Sequence, residues 1–198
     1  MSDHAQLSRA AFLLVGGKSS RMGTNKAFLD LGGQTLLHRS LATLKSICND
    51  VVIVGDPTLF AEFGPVIADL FPGCGPLGGI HAALKHSSAD LNLMLAVDMP
   101  FVSPELLRFA FAAAENTNSI VTVPRTARGF QPLCAVYRRD FVETAEENLR
   151  AGKYKIDASF SSIPLRIIEE SELTAAGFSE EKFFNINTPA DRGAAEME

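Results

Sequence analysis

The stretch from Phe12 to Phe28 constrains this chain more than any other. It opens in the apolar run Ala10-Ala11-Phe12-Leu13-Leu14-Val15. That run is too short for a free-standing helix and suits a strand buried on both faces. It breaks at Gly16-Gly17 into a loop dense in donors: Lys18, Ser19, Ser20, Arg21, Thr24, Asn25 and Lys26. A strand that ends in paired glycines leaves bare backbone N–H groups at the end of a sheet, where a ligand can approach closely. A structural turn does not need so many cations. A polyphosphate does, because each phosphate oxygen takes a charge-assisted donor.

Two familiar phosphate loops are excluded. The P-loop pattern, G-x-x-x-x-G-K followed by Ser or Thr, would end at Gly17-Lys18-Ser19, but Phe12 stands where it needs its first glycine. The dinucleotide pattern G-x-G-x-x-G fails because Gly16 and Gly17 are adjacent. What remains, from Leu14 to Lys26, is L-x-G-G-x-S-x-R-M-G-x-x-K. On this motif the chain resembles the nucleotidyltransferases, and among them the molybdenum cofactor guanylyltransferases.

The chain has 198 residues, 46% hydrophobic and 21% charged, the profile of one globular domain over 1–198 with a sizeable core. Net charge is −5 with no basic run, which argues against a nucleic-acid partner and leaves the cations gathered at the site. The three cysteines, Cys48, Cys74 and Cys134, make no C-x-x-C pair and read as reduced thiols of a cytoplasmic protein. Residues 1–9 are polar, lack a signal-peptide core and are expected to be disordered. No apolar run approaches the length of a membrane span.

Strand and helix patterns alternate down the chain. Gly32-Gly33 suits a short hairpin, and Thr35 caps a helix to about Ile47. Val51–Val54, Pro65–Ala68 and Leu91–Val97 read as strands, and 77–86 and 103–114 as helices. Strands follow near Ser119–Val123, Leu133–Tyr137 and Leu165–Glu169, with a helix near Asp140–Ala151, a helical turn at 172–176 and a short terminal helix from Pro189. Such alternation means an α/β fold, a mostly parallel sheet with helices on both faces and right-handed crossovers. The resemblance implies a three-layer, Rossmann-like sheet of the nucleotide-diphospho-sugar transferase type. Ligands of open α/β sheets bind at the carboxyl ends of strands, where Gly16, Asp69 and Asp98 all fall.

Asp98, in Ala96-Val97-Asp98-Met99-Pro100, suits a hard cation beside phosphates, and equally a turn residue. The resemblance implies Mg²⁺ binding there, by an Asp-x-Pro match. It assigns Arg21, Lys26 and Asp98 to catalysis. Nucleotide binding falls to Leu14, Val15, Gly16, Gly17, Lys26, Asp69, Gly78 and Asp98, with Gly78 in a G-P-L-x-G loop. That loop also suits a tight strand–helix turn. Val54 departs from a family position that carries Asn, and main-chain groups of Gly55 are the expected replacement. Gln131, and Asn185 and Asn187 in an N-x-N-T-P segment read as strand, are the pterin-side candidates. Asn187 or Thr188 would alternatively cap a helix from Pro189. His81 and His86 are expected on helix surfaces, and Met22 and Phe28 to pack the loop on the sheet.

The resemblance implies transfer of GMP from GTP to molybdopterin cofactor, releasing pyrophosphate. Transient contacts with other cofactor-biosynthesis proteins and apo-molybdoenzymes follow from it. The alternatives are a cytidylyltransferase of the same cofactor, a sugar-nucleotide enzyme, and a non-catalytic nucleotide-binding delivery module. Base choice turns on Gly16: related cytidylyl enzymes tend to carry L-A-A-G, and a methyl group there would fill space a guanine needs. If Gly16 instead holds a positive φ, Ala would harm the loop whatever the base.

Overall fold

A computed structural model describes residues 7–16, 25–186 and 191. In chain order the strands are β1 (Arg9–Leu14), β2 (Asp30–Leu31), β3 (Gln34–Thr35), β4 (Val51–Val54), β5 (Val66–Ile67), β6 (Leu91–Ala96), β7 (Val121–Thr126), β8 (Gly129–Phe130), β9 (Cys134–Tyr137) and β10 (Leu165–Ile168). The helices are α1 (Leu36–Lys45), α2 (Pro57–Phe60), α3 (Pro76–His86), α4 (Pro104–Glu115), α5 (Phe141–Arg150) and α6 (Glu170–Ala175).

The main sheet runs β10-β7-β9-β6-β1-β4-β5, with β8 added beside β7. β5, β4, β1 and β6 are mutually parallel. β9 runs antiparallel to both β6 and β7, and β10 returns parallel to β7. The α/β architecture read from the alternation is therefore present, and the antiparallel strands, β8 and β9, fall in the later, weaker-patterned part of the chain.

Period-two geometry explains why β1 is apolar throughout. Ala11, Leu13 and Val15 face one core, with Leu36, Leu37, Leu41 and Leu44 of α1 and Leu106, Leu107, Ala110 and Phe111 of α4. Ala10, Phe12 and Leu14 face the other, with Leu77, Ile80 and Leu84 of α3 and Phe141, Ala145 and Leu149 of α5. Helix layers thus cover both faces. Among the described residues no helix is long and apolar enough to cross a membrane.

Local signals act as expected at several ends. Thr35 Oγ1 accepts from the His38 N–H to cap α1, and Ser103 does the same for Leu106 at α4. Gly32 and Gly33 hold φ of 64° and 81°, joining β2 to β3 in a hairpin turn that needs both positive.

Other expectations are corrected. The leader is tied down earlier than residue 9: Ser8 donates its N–H to Asp90 Oδ2 at 2.8 Å, and Arg9 opens β1. α2 went unread, although Asp56 caps it and Pro57 opens it. β7 continues through Pro124 because its neighbour changes there: Val121 and Thr122 pair with β9, Arg125 and Thr126 with β8. His81 is buried, not on the surface, since α3 packs on the sheet with one side and meets α5 with another, where Glu146 lies against the ring. Phe28 is 40% exposed and stacks on Phe60 of α2 at 5.6 Å. Met22 lies outside the described residues, as does Pro189 with the start of the expected terminal helix.

A β-carbon at Gly55, just past β4, would collide with Val15 Cγ2 and meet Phe60 Cδ2 at 3.2 Å. Gly55→Ala is expected to lower unfolding free energy by about 1–3 kcal/mol, the usual cost of overpacking, read as a shift in denaturant midpoint at constant slope.

Candidate active site

Gly16, Gly55, Asp69 and Asp98 follow β1, β4, β5 and β6, so all four lie at the carboxyl edge of the parallel strands. The ends of β1 and β6 are pinned together where the Val97 N–H donates to the Leu14 carbonyl at 3.1 Å. Asn25 then begins a 3-10 turn over Lys26–Phe28, accepting from the Ala27 N–H at 3.0 Å through its side chain. The turn brings Lys26 Nζ to 3.6 Å from Asp98 Oδ2, with both side chains mostly shielded. Burial pushes the Asp98 carboxyl above the usual range, and the Lys26 ammonium pulls it part of the way back. Asn25 was read only as one donor among several; its capping role fixes where Lys26 points.

The Asp98 carbonyl accepts from the Ile186 N–H at 2.9 Å, which ties the late segment to the same strand end. Ile186 is buried and Asn185 half-buried, but 184–186 is not a strand as the Asn-x-Asn spacing suggested. Gln131 also reaches this edge, because β9 runs in reverse and starts just after it. Its amide nitrogen is held in the β7–β8 turn, donating to Thr126 Oγ1 at 3.2 Å and the Gly129 carbonyl at 3.4 Å. Gly17, Arg21 and Asn187 lie outside the described residues.

The two glycines of Gly75-Pro76-Leu77-Gly78-Gly79 have separate reasons. A β-carbon on Gly79 would sit 3.0 Å from Leu14 Cδ2, so its absence lets α3 settle on β1. A β-carbon on Gly78 would sit 2.7 Å from both carboxylate oxygens of Asp69. Asp69 thus lies directly over the first turn of α3, where backbone N–H groups favour an anion. Its carboxylate also accepts the Phe71 N–H at 2.7 Å, yet burial holds its pKa above the ordinary value.

Several expected contacts are narrowed. The Leu14 and Val15 side chains are buried in opposite cores, and the Val15 N–H donates to the Val54 carbonyl at 3.1 Å. Both side chains are thus turned away from the edge, and only main-chain groups of this segment can meet a ligand there. Val54 is buried, and the Gly55 N–H donates to the Ile67 carbonyl at 2.9 Å, so that amide cannot replace a missing Asn contact. Gly16 has no left-handed φ, and among the described residues a β-carbon there meets nothing within 4 Å.

Residues 11–162 match the family model of the MobA-like NTP transferase domain. The chain belongs to that family. Among MobA-like proteins, it is 37% identical over 187 residues to a molybdenum cofactor guanylyltransferase of Desulfosudis oleivorans, covering 93% of this chain and 92% of the relative. Its fold matches the solved molybdopterin-guanine dinucleotide biosynthesis protein A from Archaeoglobus fulgidus, with a TM-score of 0.84, 29% identity and coverage of 96% and 97%. A 2-C-methyl-D-erythritol 4-phosphate cytidylyltransferase from Thermus thermophilus shares the fold, with a TM-score of 0.68, 20% identity and coverage of 94% and 96%. The resemblance read from the Leu14–Lys26 motif is borne out, as is the nucleotide-diphospho-sugar transferase type of fold.

Because the folded-state pKa of Asp69 is raised, its stabilising contribution is present below the unfolded value of about 3.9 and is lost as pH rises through the folded value. Asp69→Asn is therefore expected to melt above wild type at pH 7 and level with it near pH 3. The check is a pair of melts at each pH. Gly78→Ala should push the carboxylate off the helix terminus and weaken nucleotide binding with little change in melting temperature.

Proposed function

We propose that this chain transfers GMP from GTP to the terminal phosphate of molybdopterin cofactor, forming the guanine dinucleotide cofactor and pyrophosphate. The observation that carries this is the Lys26–Asp98 pair at 3.6 Å, on the strand edge that also holds Gly16 and Asp69. The names of the relatives support the choice of base and acceptor.

The attacking group is a phosphate already ionised, so no general base is required. Charge neutralisation and in-line placement at the α-phosphorus are the task. Lys26 and Arg21 hold the triphosphate. Asp69 and the start of α3 hold the nucleoside side, and Gly16 lets the base lie against the backbone. Gln131, Asn185 and Asn187 form the pterin wall.

Asp98 is a hard oxygen donor, partly buried and facing a cation, which fits Mg²⁺. Among the described residues no group of three or more His, Cys, Asp or Glu could hold a metal by itself. A lone carboxylate suits an ion that takes its other ligands from phosphates and water. When bound, Mg²⁺ would stabilise charge developing on the departing pyrophosphate. The three free thiols fit a reducing cytoplasm, where the product would pass to other cofactor-biosynthesis proteins and apo-molybdoenzymes.

Pyrophosphate release from each NTP with Mg²⁺, with and without molybdopterin, tests the reading. Release is expected with GTP plus molybdopterin alone, and release with CTP instead would replace guanylyl by cytidylyl transfer. Asp98→Asn should cost orders of magnitude in turnover while the fold is kept. Lys26→Ala should cost roughly ten- to a hundredfold in GTP affinity or rate, the worth of a charge-assisted phosphate contact. Lys153→Ala, at an exposed site, serves as the control.

Gly16→Ala now separates base from backbone. With an ordinary φ at Gly16 and no described atom in the way of a β-carbon, the ligand-free melt should not move. The added stabilisation by GTP-Mg²⁺, about 2.7 kcal/mol at a hundredfold excess over Kd, should fall while that by CTP-Mg²⁺ does not.

A further inference from the structure

Gly78, His81 and Lys85 follow at helical spacing along α3 and share a face. That face meets α5: Glu146 Oε2 lies 3.3 Å from His81 Nε2 and 3.1 Å from Lys85 Nζ. Arg150 Nη2 donates to the other Glu146 oxygen at 2.6 Å. Hydrogen bonds from Lys85, Arg150 and His81 draw the Glu146 carboxyl down to about 2. An ionised carboxylate only accepts, so His81 Nε2 carries the proton between them. The ring is 2% exposed, and its Nδ1 has no hydrogen-bond partner among the described residues. The ring stands edge-on to Phe71, with centroids 5.0 Å apart at 80°. Phe71 in turn donates its N–H to Asp69 Oδ1 at 2.7 Å. Burying a ring nitrogen without a partner costs free energy that Leu or Phe at the same position would not, so packing alone does not account for this histidine.

We infer that His81 is a positioning residue for nucleotide binding. The hydrogen bond to Glu146 sets the plane of the imidazole, the ring edge seats Phe71, and the Phe71 N–H aims the Asp69 carboxylate over Gly78 at the first turn of α3. The role rests on reading Asp69 and the start of α3 as part of the nucleotide site. His81 acts through Phe71 and Asp69 and touches no reacting atom.

Two measurements test it together: exchange of the Phe71 amide hydrogen, and nucleotide affinity by calorimetry with GTP and CTP in parallel. His81→Ala should speed Phe71 exchange and weaken nucleotide binding roughly two- to tenfold, the worth of an edge-to-face ring contact. The rate at saturating nucleotide and the KM for the acceptor should stay put. Adding Phe71→Ala to His81→Ala should cost no more, since both remove one contact. His81→Phe guards against a variant that fails to fold. It keeps a ring, buries no unpartnered nitrogen and loses the bond to Glu146. It should melt at or above wild type and still bind nucleotide more weakly, a split that a purely structural role would not produce. Wild-type affinity and Phe71 protection in a folded His81→Phe and His81→Ala would overturn the inference. The same losses measured on a wild type that binds CTP would overturn the guanylyl reading and support the role of His81. A wild type that binds neither nucleotide would overturn both.

Discussion

The double burial of β1 is the constraint on which the other parts depend. Six consecutive positions, Ala10 to Val15, alternate between two cores, and helices from both faces close over them. A strand in that position has no exposed side and no freedom of register, since a one-residue slip would exchange its two faces. Its end is therefore fixed in space, and so is the point where the glycines begin. The turn that presents Lys26 faces that fixed edge.

Backbone hydrogen bonds just past the strand ends hold the site together. The Val97 N–H meets the Leu14 carbonyl, and the Ile186 N–H meets the Asp98 carbonyl. Segments far apart in sequence meet at this edge, where an ammonium and a carboxylate face one another. Burial raises the cost of the Asp98 charge and Lys26 offsets part of it. The arrangement keeps an unfavourable charge ready for a ligand, a common feature of sites that hold cations and phosphates.

Much of this was legible in the residues. The apolar run, the paired glycines and the strand-terminal aspartates gave the fold class and the edge where ligands bind, because periodicity and turn chemistry are local. Other features depend on what meets what across the fold. Gly78 reads as a turn residue until Asp69 is seen above it, and His81 reads as a surface residue until α5 covers it. Gly55 offered an amide on paper that the neighbouring strand β5 takes. The strand read near Ser119–Val123 runs on through Pro124, where its neighbour changes from β9 to β8. Each of these depends on a partner distant in sequence, which no local pattern reports.

The reversal at β9 has a mechanical result. It bonds to β6 on one side and to β7 on the other, so the parallel strands that carry Asp98 and the β7–β10 half that borders Gln131 are one continuous hydrogen-bonded plate. Such a plate has no seam along which two lobes can swing. Separation across it is set by strand spacing, which the ladder keeps near 4.8 Å per strand, about the same in every molecule. The distance between Asp98 and Gln131 is thus held by the sheet itself.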